Sequence, residues 1–166
     1  MATPTYDLLE SVTLASLASS VTFSSIDQSY GDLILVMNPI ASSVGITPYT
    51  RLNGDTGGNY NWVRMTGSGS STESSAQASR TSFDFSYPGG RNDSSTLFIQ
   101  QFMDFSATDK HTTVLARHNN PSDAVAAYAG RWANTSAVTS LTIFASFSNF
   151  AAGATFNLYG IAKTVV

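Results

Sequence analysis

The sequence predicts an all-β fold, an antiparallel β-sandwich of the jelly-roll-like kind, from three observations. Apolar residues alternate with small polar residues in short runs, which is the period of a half-buried strand. Turn residues separate these runs at short intervals, giving about ten strands. Helical periodicity is almost absent. Because a length of 166 residues suits one domain, we expect a single sandwich domain at 10–166, preceded by an N-terminal arm at 1–9.

In the first half of the chain, two strands with a short Ser/Ala break between them are predicted within 14–23, and further strands are predicted at 30–37, 47–52 and 60–65. The four consecutive apolar residues at 33–36 predict a strand that is covered on both faces. Residues 53–58 (NGDTGG) join the last two runs, and Asn-Gly with Gly-Gly is typical of a hairpin turn. We therefore expect the runs at 47–52 and 60–65 to pair as a β-hairpin.

The second half begins with a low-complexity segment at 67–79 (GSGSSTESSAQAS), which predicts a mobile Ser/Gly-rich loop. The run at 124–133 follows a Pro-Ser-Asp segment that could start a helix, but its alternation of side chains favours a strand. No domain boundary interrupts the series. The remaining strands are predicted at 80–87, 97–105, 112–117, 141–147 and 155–161.

Charged residues make up only 11% of the chain, against about 25% in ordinary soluble domains. Serine and threonine supply surface hydrogen bonds in their place. A surface with so little charge is less well defended against association, which favours a protein whose surface is covered by neighbours.

The net charge of −3 and the scattered Lys and Arg residues argue against a nucleic-acid partner. No apolar run is long enough to span a bilayer, and residues 1–4 do not resemble a signal peptide. The chain has no cysteine, so disulfides, thiolate metal sites and thiol nucleophiles are excluded. We expect synthesis in a cytoplasm and no membrane partner.

No combination of residues predicts catalysis. His111 and His118 are seven positions apart, so a strand places them on opposite faces, and we expect both at the surface or in an interface. Glu10 and Glu73 are the only glutamates; Glu10 is near the N-terminus, Glu73 is in the predicted mobile loop, and most aspartates are in predicted turns, so a glycosidase acid pair is not expected. Serines are too abundant to indicate a catalytic triad. The chain is predicted not to be an enzyme and to hold no cofactor.

Residues 53–59 superficially resemble a calcium-binding loop, but the position that would require a bidentate glutamate is Arg64. A tight turn held by side-chain oxygens is the preferred interpretation, so no metal site is predicted. The Asn92 and Asn134 glycosylation sequons are expected by chance in a chain so rich in Ser and Thr.

Four aromatic residues on alternating strands form a candidate aromatic surface: Tyr60, Trp62, Tyr128 and Trp132. Exposed rings of this kind stack on the apolar faces of sugars. The alternative, that these rings fill the sandwich core, is favoured. The arm residues Tyr6, Leu8 and Leu9 are candidates for an interface, because terminal apolar segments can order when they bind a partner.

Three stretches together resemble short virion structural proteins of tailed bacteriophages: 11–38 (SVTLASLASSVTFSSIDQSYGDLILVMN), 51–67 (RLNGDTGGNYNWVRMTG) and 129–163 (AGRWANTSAVTSLTIFASFSNFAAGATFNLYGIAK). They cover roughly half the chain and reach towards both ends. The matching residues are strand and turn residues, with no catalytic signature among them.

This resemblance implies a jelly-roll-like protein of the virion's outer surface, of the capsid decoration (cement) or appendage type, which tends to form homotrimers. The implied partners are the major capsid protein or other virion proteins. The hypothesis is a decoration protein that stabilises the phage head by bridging coat subunits. The alternative is a receptor- or glycan-binding module of a tail or head fibre.

Overall fold

Eleven strands and no helix are present in the computed structural model, which describes residues 5–43, 45–85 and 96–163. The strands are β1 (Tyr6–Thr13), β2 (Ser20–Phe23), β3 (Tyr30–Asn38), β4 (Pro48–Leu52), β5 (Tyr60–Gly67), β6 (Thr72–Arg80), β7 (Leu97–Met103), β8 (Thr113–Asn120), β9 (Ala124–Trp132), β10 (Leu141–Ala145) and β11 (Thr155–Ala162).

Two sheets of unequal size form the sandwich, and every strand pair in them is antiparallel. The large sheet has eight strands in the order β1-β11-β3-β7-β8-β9-β5-β6, and the small sheet has three in the order β2-β10-β4. The predicted all-β antiparallel sandwich is therefore confirmed.

Period-two alternation builds the core between the sheets. In β3, Leu33, Leu35 and Met37 are fully buried, and they belong to the same hydrophobic cluster as Phe23 and Ile143 of the small sheet. The small sheet covers only part of the large one. Over the strands β5 and β9, the irregular segment 82–85 provides cover instead, with all four of its residues buried.

The predicted hairpin between 47–52 and 60–65 is wrong, because β4 lies in the small sheet and β5 in the large one. The turn chemistry is present, since Asn53 and Gly54 both have positive φ, 51° and 65°. The Asn53 side chain, however, accepts hydrogen bonds from the backbone N–H of Thr139 and Ser140 and donates one to the carbonyl of Ala137. These contacts direct the chain across the sandwich rather than back along β4.

The loop predicted at 67–79 is also wrong, since most of it is strand β6, the edge of the large sheet beside β5. Eight of its nine residues are exposed. A strand that buries neither face needs no apolar side chains. Because strands are predicted from alternating apolar residues, the polar composition of β6 gave no strand signal.

The predicted arm at 1–9 is corrected in its second half. Residues 1–4 lie outside the described part, but β1 begins at Tyr6 and pairs with β11 along its length, with a bulge between Leu8 and Glu10. Of the two strands predicted within 14–23, only the second is present, as β2. Of the strand predicted at 80–87, Arg80 is the last residue of β6, and residues 81–85 form only an isolated bridge, between Phe83 and Thr50.

Candidate interaction surface

The outward side of the large sheet, called here the outer face, carries most of the exposed hydrophobic side chains. Nine large hydrophobic residues of the described part are more than a third exposed. The strand registers place seven of them on this face: Tyr6, Leu8, Val63, Met65, Leu97, Leu115 and Val125. The other two, Leu17 and Phe147, lie in loops. One side of the sandwich is therefore an apolar surface.

Alternation in the central strands explains why this face is apolar. The run at 33–36 was expected to be covered on both sides, and Leu33 and Leu35 are indeed buried in the core. Ile34 and Val36 point outward and are only half-buried. A central strand with apolar residues on both faces is typical of a sheet that is covered on both sides. Within the described chain, nothing supplies the second cover.

A concave groove crosses the outer face over β7, β8, β9, β5 and β6. Its volume is about 910 Å³, within the range of sites that bind ligands or protein segments. The register aligns Met65 of β5 with Ala127 of β9, Arg117 of β8 and Ile99 of β7 in one row. Leu97 and Val125 lie in the next row, so the floor of the groove is mostly hydrophobic.

The groove has one charged side chain of each sign among its lining residues, Arg117 of β8 and Glu73 of β6. Arg117 and Arg131 point outward from β8 and β9, and both are exposed. No acidic residue occupies an outward position of the paired residues of β5 to β9, although Glu73 of β6 lies at the rim. A guanidinium in a largely apolar groove favours a partner with an aromatic ring or a carboxylate.

The candidate aromatic surface does not exist, because all four of its members are in the core. The exposed fractions of Tyr60, Trp62, Tyr128 and Trp132 are 0%, 6%, 3% and 1%. Their rings form a cluster in which Trp62 and Tyr128 meet edge to face at 5.4 Å. The alternative interpretation of these residues as core is confirmed.

Three of the buried aromatic residues, Trp62, Trp132 and Tyr60, have hydrogen-bond partners for their polar atoms. The Trp62 Nε1–H donates to Asp84 and the Trp132 Nε1–H donates to Asp55, at 2.6 and 2.7 Å. The Tyr60 hydroxyl donates to backbone carbonyls, and burial raises its pKa to about 12. These polar contacts fix the orientation of the rings and leave no ring edge for a ligand.

The Asp55 side chain stabilises a turn, in agreement with the preferred interpretation of residues 53–59. Its carboxylate accepts hydrogen bonds from the backbone N–H of Gly57, the side chain of Asn59 and the Trp132 indole. Burial alone would raise the pKa of the Asp55 carboxyl, but these hydrogen bonds together lower it below its ordinary value. In the described residues, no group of three or more His, Asp or Glu side chains could hold a metal ion.

The expectation that both histidines lie at the surface or in an interface is wrong for His118, which is in the core. Its ring is 2% exposed and lies between Phe98, Tyr128 and Phe85, with ring centroids 4.1, 5.1 and 5.8 Å away. Neither ring nitrogen has hydrogen-bond geometry to a partner in the described part of the chain. Burial lowers the pKa of His118 to about 3, against a smaller opposing contribution from the backbone of Phe85. His118 is therefore a neutral core residue, whereas His111 is half-buried and precedes β8.

The candidate interface residues of the N-terminal segment differ in exposure. Tyr6 and Leu8 are 57% and 56% exposed on the outer face, at the edge formed by β1. Leu9 is half-buried and packs against the core. The sequence analysis did not predict the groove or the exposure of Phe147. The alternation within a single strand does not show which apolar face of the sheet lacks a neighbour, and Phe147 lies in a loop outside the strands.

The fold and surface define an antiparallel β-sandwich with one unpartnered apolar sheet face. No family model and no curated protein sequence matches the chain. Among solved structures, the galectin LEC-6 of Caenorhabditis elegans is similar over 98% of this chain and 99% of that chain, with 12% sequence identity and a TM-score of 0.40. A likeness this distant transfers no ligand and no site residue. The described residues contain no helix of the length and hydropathy needed to cross a membrane.

Proposed function

We propose that the chain is a virion structural protein, a capsid decoration (cement) protein that binds the outside of a phage head and stabilises it. The observation that carries this proposal is the concentration of seven exposed hydrophobic residues on one face of the large sheet. Large apolar patches of soluble proteins mark surfaces that other molecules cover. The role needs no catalysis and no cofactor, only buried contact area.

The contact with the major capsid protein, or another virion protein, is assigned to the β1 edge. Tyr6 and Leu8 are exposed there, and half-buried Tyr159 and Ile161 of β11 extend the same apolar surface. Among the described strands β1 is an edge of the large sheet, and edge strands present unpaired backbone groups to a partner. A decoration protein that binds only assembled shells shifts the assembly equilibrium towards the intact shell by mass action.

The experiment compares heads assembled without the protein before and after its addition. We expect the wild-type protein to sediment with the heads and to raise the temperature at which they release DNA. Leu8→Glu places a charge in the proposed contact, and we expect it to weaken binding by about tenfold or more. Leu17→Glu is the matched control, because Leu17 is a similarly exposed leucine (62%) in a loop away from the outer face. Equal heat resistance with and without bound protein contradicts the proposal.

The alternative function, a receptor- or glycan-binding module of a fibre, has less support in this structure. Its sugar-stacking platform was the set of four aromatics that are now placed in the core. The groove remains as a concave surface with Arg117 and Asn119 among its lining residues. Binding of a glycan array by the wild-type protein, abolished by Arg117→Ala, would favour this alternative over the decoration role.

A further inference from the structure

Phe147 is the most exposed large hydrophobic residue of the described chain, with 99% of its surface accessible. It lies in the loop between β10 and β11 and has a φ of 61°, in the left-handed region that bulky side chains rarely adopt. Backbone strain of this kind persists where the surrounding structure imposes it, and it is concentrated at functional positions.

The loop that carries Phe147 is held on both sides of this residue. The N–H of Ser146 donates to the carbonyl of Thr47 at 3.0 Å, and the Ser148 hydroxyl is 2.9 Å from the hydroxyls of Ser42 and Ser43. Further along, Phe150 exchanges backbone hydrogen bonds with Ala18. The aromatic ring is therefore presented to solvent by a braced loop, and little conformational entropy is lost when a partner covers it.

The groove of the outer face has the chemistry to receive such a ring. Ile99, Met65 and Val125 offer apolar contacts, and the Arg117 guanidinium lies among them. A guanidinium over the face of an aromatic ring is attracted by the ring's quadrupole. The chain already contains one such pair, with the Arg51 guanidinium 4.5 Å from the centre of the Phe144 ring.

Phe147 does not fill the groove of its own chain. Its ring lies in the loop between β10 and β11 with 99% of its surface accessible, so it makes no contact with the groove over β7, β8, β9, β5 and β6. We propose that Phe147 of one copy inserts into the outer-face groove of a second copy, beside Arg117. The proposal does not depend on a virion role.

Such a contact is heterologous, since two different surfaces meet, and repeating it generates a closed ring or an open chain. Insertion covers the Phe147 ring and the groove, two apolar surfaces that no described residue of the same chain covers. The β1 edge stays free for a different partner, because it lies at the opposite side of the large sheet from β6.

The test measures self-association of the purified full chain by analytical ultracentrifugation over a range of concentrations. We expect the wild-type protein to associate and Phe147→Ser to raise the dissociation constant by about tenfold or more. Met65→Glu, which places a charge in the groove, has the same expected effect. Tyr6→Ser is the matched control, an exposed aromatic at the other side of the face, and it leaves association unchanged. Circular dichroism establishes that each variant is folded.

Mixing the two variants separates this contact from a general loss of association. Phe147→Ser retains an intact groove and Met65→Glu retains an intact Phe147, so an equimolar mixture forms a heterodimer through one good contact. Appearance of this heterodimer supports the proposal. A wild-type protein that is monomeric at every concentration overturns it, as does a folded Phe147→Ser that associates as the wild type does. Leu8→Glu distinguishes the two proposals, because it tests shell binding and leaves the association of copies intact.

Discussion

His118 shows how a single side chain couples the core to pH. In the folded chain its pKa is about 3, because the aromatic cluster around it excludes water. In the unfolded chain the ordinary value of 6.5 applies. As the pH falls below 6.5, the His118 imidazole becomes protonated in the unfolded chain but stays neutral in the folded chain. This residue therefore lowers the free energy of unfolding as the pH decreases.

We predict that the free energy of unfolding falls by about 1.4 kcal/mol for each pH unit between about 6 and 4.5 because of His118 alone. Urea unfolding at several pH values measures this slope. His118→Leu has no titrating group at this position, and its stability is expected to vary less with pH over this interval. Identical slopes for the variant and the wild type would show that His118 is not buried in neutral form.

At the scale of residues, the sequence predicted the turn role of residues 53–59 and favoured a core position for the aromatics. The prediction was wrong for His118. A histidine in an alternating strand gives the same sequence pattern whether its face of the strand is exposed to solvent or covered by another residue, here Phe85. That cover comes from a segment more than 30 residues away in the sequence, at a place that strand periodicity does not indicate.

At the scale of elements, the connection between β4 and β5 depends on Asn53. Its side-chain oxygen accepts from Thr139 and Ser140, its amide donates to Ala137, and its φ of 51° is one that asparagine tolerates. The side chain therefore links the crossover between the sheets to the segment that precedes β10.

We predict that Asn53→Gly lowers the free energy of unfolding by about 1 to 3 kcal/mol, because it removes these hydrogen bonds while keeping the positive φ. Asn53→Ala is expected to lower it further, since alanine also strains the backbone there. Thermal and urea unfolding measure both variants. Equal stability of Asn53→Ala and the wild type would contradict the role given to this side chain.

The start of β3 is packed against β11 through a glycine. A Cβ atom added to Gly160 would lie 2.5 Å from the ring of Tyr30, whose hydroxyl donates to Asp7 of β1 at 3.2 Å. The absence of a side chain at Gly160 thus lets the Tyr30 ring lie across β11 and reach the edge strand.

We predict that Gly160→Ala destabilises the fold by about 1 to 3 kcal/mol, because the Tyr30 ring must move. Gly67→Ala is the matched control: Gly67 also lies in a strand, and a Cβ atom added there would have no described neighbour within 4 Å. Chemical denaturation of the two variants provides the measurement. Comparable losses in both would indicate a general effect of alanine in strands rather than contact with Tyr30.

Several elements were predicted closely, and the reason is physical. β3, β8, β9 and β11 alternate between a buried and an outward side chain, so the period of two survives in the sequence. Pairing was not predictable, because turn residues at 53–58 are compatible with a hairpin and with a crossover. β6 was not predictable either, since a strand exposed on both faces has no apolar pattern.

At the scale of the whole molecule, the fold class followed from composition and alternation, but the interaction surface did not. The exposure of Met65 or Val125 depends on the absence of a third layer over the large sheet in the described part of the chain. The low charge of the sequence favours association but does not indicate which surface would take part. The structure shows where this unpartnered surface lies. We assign its β1 edge to the proposed contact with virion proteins and its groove to the proposed contact between copies.

The unequal sheets also divide the interior into two regions. Strands β2, β10 and β4 cover one region with a hydrogen-bonded layer, whereas the other lies beneath Phe83 and Phe85 in an irregular segment. That segment is fastened by Asp84, which accepts from the Trp62 indole and from Arg80. A segment that is joined to a sheet by the single bridge between Phe83 and Thr50 detaches more easily than a strand that is paired along its length, so transient opening is easiest there. Solvent would then reach His118 and Tyr128 before it reached Leu35 or Phe23.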